Sequence, residues 1–452
     1  MLINLSVSNF RSFHSTETFS METGKTRNYA ERTTRMAHAR VLKFKAIYGS
    51  NASGKSSLIK AFDFMQAAIL EGIPSNSTMD YCRLYEENVE RPSRFQVEVA
   101  LGGTVYQYGF DIILNESRFL AEWLYEKKSS RKQLIFTRDV VFGTFEIASF
   151  PGSGELNDRL RFYADDVKLD GSILFLKAMN QNKDSLYSDD SKIAVFRTLY
   201  RWFRYKLSVN YPDEYITQYN YFFDSKGSAA AEEILERFDT GISKVSICDE
   251  PTEKVMAQLP KPFVKTLLEN LNEQRQKNAK DGIDEPPAVV VRNYEGHSMY
   301  LIELHGEDVI CKTLKFNHKH SDSLFTLREE SDGTVRLLDL IEILLSNIQN
   351  MVYVIDEVNR CLHPLITKQF VRDFLDLAVE RNIQLIVTTH ETSLMDLKLL
   401  RQDEIGFIEK RDLDGSSRMY SLDDYGARFD KSIRNAYMKG QYDAIPKLPI
   451  LE

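Results

Sequence analysis

The chain has 452 residues, a formal net charge of −8, 43% hydrophobic and 27% charged side chains, the balance of an ordinary soluble globular protein with ample core. No apolar run approaches the ~20 residues a membrane helix needs, and the acidic balance does not favour a constitutive nucleic-acid binder. Cys82, Cys248, Cys311 and Cys361 lie far apart without a C-x-x-C, against a zinc site or disulfide framework, and residues 1–7 hold no leader pattern, so the reading is cytoplasmic with no membrane contact.

Residues 3–10 alternate, with Ile3, Leu5 and Val7 against Asn4, Ser6 and Ser8, as in a half-buried strand. Residues 16–20 read as a second strand after the corner at Asn9–Phe10–Arg11–Ser12–Phe13. Residues 25–45 carry seven Lys/Arg against the single acid Glu31. We read this stretch as a solvated basic loop, with nucleotide or nucleic-acid contact as the alternative. Residues 44–48 are a short buried strand, and residues 54–70 a helix whose inward face is Leu58, Phe62, Met65 and Ile69.

Alternating segments follow at 95–101, 106–114, 133–137 and 145–148, with Gly102-Gly103 turning the first two into a hairpin. From about 165 to 280 the period becomes helical, with Ile193, Phe196, Leu199, Tyr200, Phe203 and Leu207 on one face. Residues 200–223 are rich in Tyr and Phe, used for core packing or an interaction surface. Strands resume at 288–292 and 299–304. A helix with Leu337, Leu338, Ile341, Leu344 and Leu345 inward precedes an apolar strand at 351–355. A helix at 364–381, a strand at 385–388 and a hairpin of 405–410 with 418–422 complete the alternation. The expected fold class is α/β: a mixed sheet core, an antiparallel β lobe and a helical insertion lobe. Its parts are residues 1–165 with the P-loop, the insert 166–285, and residues 286–452.

Between strand and helix stands Gly49-Ser50-Asn51-Ala52-Ser53-Gly54-Lys55-Ser56-Ser57, which fits the P-loop pattern G-x-x-x-x-G-K-[ST]. Its glycines let backbone N–H groups and the helix N-terminus face a polyphosphate. Lys55 reaches the β- and γ-phosphates, and the Ser56 hydroxyl is a Mg²⁺ ligand. Asp356 and Glu357 end the apolar strand as a Walker B pair: Asp356 for the metal, Glu357 to polarise the attacking water. His390, closing the next strand, is placed to report on the γ-phosphate. Ser331-Asp332-Gly333 opens a helix and forms a second anion site, one a partner subunit's nucleotide would meet.

Taken in order, these motifs resemble an ABC-type ATPase of the RecF, structural-maintenance-of-chromosomes and overcoming-lysogenization-defect group. More closely, they resemble bacterial AAA-class ATPases of the abortive-infection AbiLi/RloA type, a group that includes ATPase subunits of PARIS anti-phage systems. The carrying residues are Ser8-Asn9-Phe10-Arg11-Ser12-Phe13, residues 47–58, Glu330-Ser331-Asp332-Gly333-Thr334, residues 354–364, Thr388-Thr389-His390 and the tail 437–446. The resemblance implies ATP and Mg²⁺ as cofactors, Arg11 beside the nucleotide, and Ser331 with Gly333 capping a partner's γ-phosphate. It places residues 359–363 at the interface of a homodimer or higher homo-oligomer. Three departures stand out. The signature is Ser-Asp-Gly, no glutamine suits a Q-loop (Gln96 and Gln107 sit in strand patterns), and Asp443 replaces an expected glycine.

The functional expectation is an ATP-hydrolysing sensor or scaffold of an anti-phage system. It would control a separate effector, a TOPRIM-type or other nuclease, with room for a phage-encoded trigger protein. A RecF-like ATPase of DNA repair or chromosome maintenance is the alternative. A transporter is excluded by the long interval from Lys55 to Ser331, and no separated acid cluster after His390 suggests a built-in nuclease.

Overall fold

The computed structural model describes residues 1–129, 131–150, 154–183, 186–187, 193–212, 220–223, 225–281, 285–293, 298–425 and 433–445. The chain forms two compact units: Met1–Pro212 with Ile348–Val358 and Leu375–Glu452, and Asp213–Asn347 with Asn359–Phe374. That boundary at residue 212 lies inside the stretch read as one helical insert. No helix among the described residues is long and apolar enough to cross a membrane.

The first unit is built on a six-stranded sheet in the order Leu207–Asn210, Val352–Ile355, Gln384–Thr388, Phe44–Tyr48, Ile405–Lys410, Ser417–Ser421. The first five strands run parallel, and the last folds back antiparallel. Every residue of Phe44–Tyr48, Val352–Ile355 and Gln384–Thr388 is buried, as expected of inner parallel strands covered on both faces. Parallel neighbours end on the same side, so the loops after Tyr48, Ile355 and Thr388 open at one edge.

A seven-stranded antiparallel sheet runs from Thr144–Ile147 through Lys132–Asp139, Arg118–Lys127, Thr104–Ile113, Ser93–Leu101 and Leu2–Ser8 to Glu17–Ser20. The helix Lys55–Leu70 packs into the core of this unit. It buries Ile59, Ala61, Phe64 and Ala68 in addition to the four residues of its predicted face. Phe64 meets Phe10 at 5.7 Å and Phe95 at 4.7 Å between ring centroids, which explains the wider apolar surface.

Strand Arg118–Lys127 has no counterpart in the periodicity, because Glu122 occupies a core position. Glu122 accepts from the Tyr108 hydroxyl at 2.9 Å and stands 3.7 Å from buried Arg138. Burial pushes the Glu122 carboxyl up, and Arg138 opposes this.

The solvated basic loop expected at 25–45 is corrected. It holds the hairpin Thr33–Met36 with Ala39–Leu42, and two of its lysines are buried. Lys43 donates to the carbonyls of Ala378 and Val379, and Lys45 donates to Ser20 O at 2.8 Å and Ser421 Oγ at 2.9 Å. Each ammonium is thus spent on acceptors that the interior would otherwise leave unsatisfied. In the aromatic stretch, Trp202, Phe203 and Phe222 are core residues, whereas Tyr205 is 61% exposed. Tyr215 and Tyr219 lie outside the described residues.

The second unit carries a sheet in the order Ile242–Glu250, Asp308–His318, Ser298–His305, Ala288–Asn293, with Leu324–Thr326 added to Asp308–His318. Strands Ile242–Glu250 and Asp308–His318 escape sequence reading because their residues are mostly polar and few of them are fully buried. Val255, Leu267, Leu271, Tyr300 and Ile302 fill its core. Helices Ser225–Arg237, Thr252–Ala257, Lys261–Asp281 and Asp332–Leu345, with residues 364–374 of the helix Pro364–Glu380, also belong to this unit.

Candidate active site

Phe44–Tyr48 leads directly into Gly49, and Lys55 opens a 16-residue helix. The two loop glycines are required by space. A Cβ on Gly49 would lie 2.4 Å from both Ile408 O and Ser53 Oγ, and Gly54 has φ +115° with Ser417 Oγ at 2.5 Å from where its Cβ would stand. Lys55 curls back over the loop, its Nζ donating to Gly49 O at 2.9 Å and Ser50 O at 3.1 Å. Burial lowers its pKa, while the charges of Asp356 and Glu357 act in the opposite direction. Ser50 is half-buried, Asn51 and Ala52 are exposed and Ser53 is buried; Ser56 is exposed and Ser57 half-buried at the first helical turn. The Ser53 Oγ is buried with no hydrogen-bond partner among the described residues.

Asp356 follows the inner strand Val352–Ile355 and is 4% exposed. Its Oδ1 accepts from the Thr388 hydroxyl, and the same Thr388 oxygen accepts the Glu357 N–H at 2.8 Å. Thr388 O also accepts from Val358 N at 3.1 Å. Glu357 therefore sits in a left-handed turn, φ +48°, held from below by the neighbouring strand.

His390 is two residues beyond Thr388. Burial and then the Lys55 charge hold its pKa below the usual imidazole value, against the attraction of Glu357 and Asp356. Lys55, Asp356, Glu357 and His390 thus share one electrostatic field at the strand ends. The Tyr48 hydroxyl donates to Glu391 O at 3.2 Å, tying the residue before the P-loop to the residue after His390.

These residues suit a magnesium nucleoside triphosphate. The glycine cradle admits no side chain, a long helix points its N-terminus at the loop, a lysine leans over it, and two carboxylates follow a strand of the same sheet, one strand removed from Phe44–Tyr48.

Arg11 has φ +52°, its N–H donates to Asp80 O at 2.7 Å and its guanidinium meets the Asp80 carboxylate at 2.9 Å. With Lys60, Asp63, Asp80 and Tyr211 it lines a cavity of about 320 Å³. Its neighbour Ser12, like Ser417, reaches Gly54, with Oγ 2.6 Å from where a Cβ would stand.

In the second unit, Ser331 is the N-cap of Asp332–Leu345, its hydroxyl accepting from Thr334 N at 3.1 Å. Ser331 and Asp332 are exposed. A Cβ on Gly333 would stand 2.7 Å from Cys361 O, so glycine there lets the 359–363 loop approach the helix start. Asp443 takes φ +51°, the conformation that suits the glycine it replaces. Its carboxylate accepts from Tyr425 OH at 3.1 Å and lies 3.7 Å from Arg418. Gln96 and Gln107 both lie within the antiparallel sheet, where Gln96 accepts from Trp123 Nε1 at 3.2 Å.

The family model for the AAA domain, putative AbiEii toxin, Type IV TA system matches residues 44–396, well over half of the chain. The chain belongs to this family. The match begins at the strand Phe44–Tyr48 and takes in Ser331–Gly333, Asp356, Glu357 and His390 of this AAA domain. No curated protein matches the chain. Among solved structures, it is similar to an SMC head bound to the C-terminal winged-helix domain of ScpA, at 13% identity and TM-score 0.43, covering 93% of this chain and 97% of that one. It is also similar to the SMC head domain from Thermotoga maritima, at 12% identity and TM-score 0.34, covering 93% and 98%. A third likeness is to the SMC head with an extended coiled coil bound to the C-terminal domain of ScpA from Pyrococcus furiosus, at 14% identity and TM-score 0.34, covering 94% and 97%.

Two contributions to the site are not read from the sequence: the bonds made by Thr388, named there only within the run Thr388-Thr389-His390, and those made by Ser417. Thr388 carries a weak signal, a threonine two residues before His390. Ser417 carries none, since its hydroxyl donates to Ser53 O from 364 residues away.

Proposed function

We propose that this chain binds and hydrolyses ATP with Mg²⁺, and that hydrolysis switches a nucleotide-dependent homodimer or higher homo-oligomer. The observation that carries this reading is the convergence of Lys55, Asp356, Glu357 and His390 beside a cradle that only glycine fits. Lys55 would exchange the carbonyls of Gly49 and Ser50 for the β- and γ-phosphates. Ser56 and Asp356 would hold Mg²⁺, which when bound neutralises phosphate charge. Glu357 would take the proton of the attacking water, and His390 would face the γ-phosphate as a neutral imidazole. Ser331, Asp332 and Gly333 would complete the partner's site, with the N-terminus of their helix toward its γ-phosphate.

The cellular role we infer is that of the ATPase subunit of an abortive-infection system of the AbiLi/RloA type, acting on a separate effector, a nuclease. Membership of the AbiEii-like family supports a defence setting. Within the aromatic stretch, exposed Tyr205 is the docking candidate, because Trp202, Phe203 and Phe222 are consumed by the cores.

Two measurements test this. Purified protein should hydrolyse MgATP without DNA, and cells carrying the intact locus with Lys55→Ala should lose phage protection. Full protection by the Lys55→Ala locus sinks the switching role. An ATPase that works only with DNA and confers no protection points to the RecF-like alternative.

A further inference from the structure

We propose that Ser417 is a positioning residue for the phosphate cradle, its hydroxyl aiming the Gly54 N–H at the bound anion. This rests on reading residues 49–56 as that cradle. Ser417 Oγ donates to Ser53 O at 2.5 Å. The Ser53 carbonyl and the Gly54 N–H belong to one peptide plane, and in a trans peptide they point in opposite directions. Fixing the oxygen on the hairpin side therefore directs the hydrogen to the other side, away from Ser417.

The anchor is rigid for reasons visible around it. Ser417 is 0% exposed, so water cannot stand in for its hydroxyl. Its own N–H donates to Ser12 O at 2.8 Å, and it pairs with Lys410 across the hairpin. Arg411 fixes that hairpin to the antiparallel sheet, donating to Glu17 at 2.6 Å and Ser15 Oγ at 3.0 Å. The Ser417 and Ser12 hydroxyls crowd Gly54 from behind, at 2.5 Å and 2.6 Å from where a Cβ would be. A Gly54 at φ +115° backed by two serines leaves its peptide little freedom to rotate.

The test is titration calorimetry of MgATP and of tripolyphosphate against wild type, Ser417→Ala, Ser417→Cys and Ser416→Ala. Ser416 is equally buried in the same hairpin, but its hydroxyl donates to Asp414 at 2.7 Å and accepts from Arg411 Nη1 at 3.3 Å, where that of Ser417 donates to Ser53 O. One lost hydrogen bond predicts about 3- to 10-fold weaker binding of both ligands by Ser417→Ala, because the defect lies at the phosphates. Ser417→Cys, with a weaker donor, should fall between, and Ser416→Ala should bind as wild type does. Wild-type affinity in Ser417→Ala, or an equal loss in Ser416→Ala, overturns the proposal. If ligand-free Ser417→Ala fails to melt cooperatively, Ser417→Cys decides, and wild-type affinity there overturns it. Failure of the wild type to bind either ligand rejects the cradle reading itself, an outcome distinct from these.

Discussion

The Thr388 hydroxyl donates to the Asp356 carboxylate, and its oxygen accepts the N–H of Glu357 at 2.8 Å. One side chain thus orients the proposed metal ligand and the backbone of the proposed base together. Thr388→Val keeps the shape and β-branching of this fully buried residue while removing both bonds. Loss of such an outer-shell partner predicts a kcat reduced about 10- to 100-fold, and a higher Mg²⁺ requirement. ATP binding measured in EDTA should change little, and Thr388→Ser should recover most of the rate. Magnesium-dependence curves for the three proteins check this, and a Val variant with wild-type kcat contradicts it.

A second prediction concerns Glu404, which is 0% exposed in the first unit. Burial pushes its carboxyl up to about 7, although Arg401 N donates to it at 2.8 Å. The folded state therefore binds a proton more tightly than the unfolded chain does. The resulting stabilisation is complete below pH 4.5 and is lost as pH rises to about 7. Glu404→Gln should consequently be more stable than wild type at pH 8, by on the order of 1–3 kcal/mol. The advantage should shrink on acidification toward pH 4.5. Melting temperatures of the two proteins across this range decide the matter, and parallel curves contradict it.

A third prediction addresses sharing of the site between subunits. Lys55→Ala removes the lysine proposed to hold the phosphates in one protomer, and Ser331→Arg removes the proposed signature of the other. In a mixed dimer one composite site keeps both, so mixing should restore ATPase activity absent from either parent. Ser331 is also a helix N-cap, so its replacement costs about 1 kcal/mol of stability, and the melt must be recorded alongside. No recovery despite proven subunit mixing counts against a shared site.

Legibility in the sequence followed the range of each interaction. The P-loop, its strand and its helix were readable because motif, apolar run and helical period all lie within residues 44–70. The strand ends at Asp356 and His390 were readable for the same local reason. What joins them was not: the Thr388–Asp356 contact spans 32 residues and depends on strand register. The Ser417–Ser53 contact needs the whole sheet to be assembled first. Charge misled where the fold spends it internally, as with Lys43, Lys45, Glu122 and Arg138, all buried against specific acceptors or partners. Polar strands such as Ile242–Glu250 leave only a faint alternation, and the basic stretch hid a hairpin.

The central claim is that Lys55 holds the phosphates of a nucleotide whose hydrolysis Glu357 promotes. Nucleotide binding and MgATP turnover, measured side by side on wild type, Lys55→Ala and Glu357→Gln, test it most directly. Lys55→Ala should neither bind nor hydrolyse. Glu357→Gln should bind as wild type does and turn over about 10²- to 10⁴-fold more slowly. Turnover by Glu357→Gln at the wild-type rate, or undiminished binding by Lys55→Ala, would contradict the account.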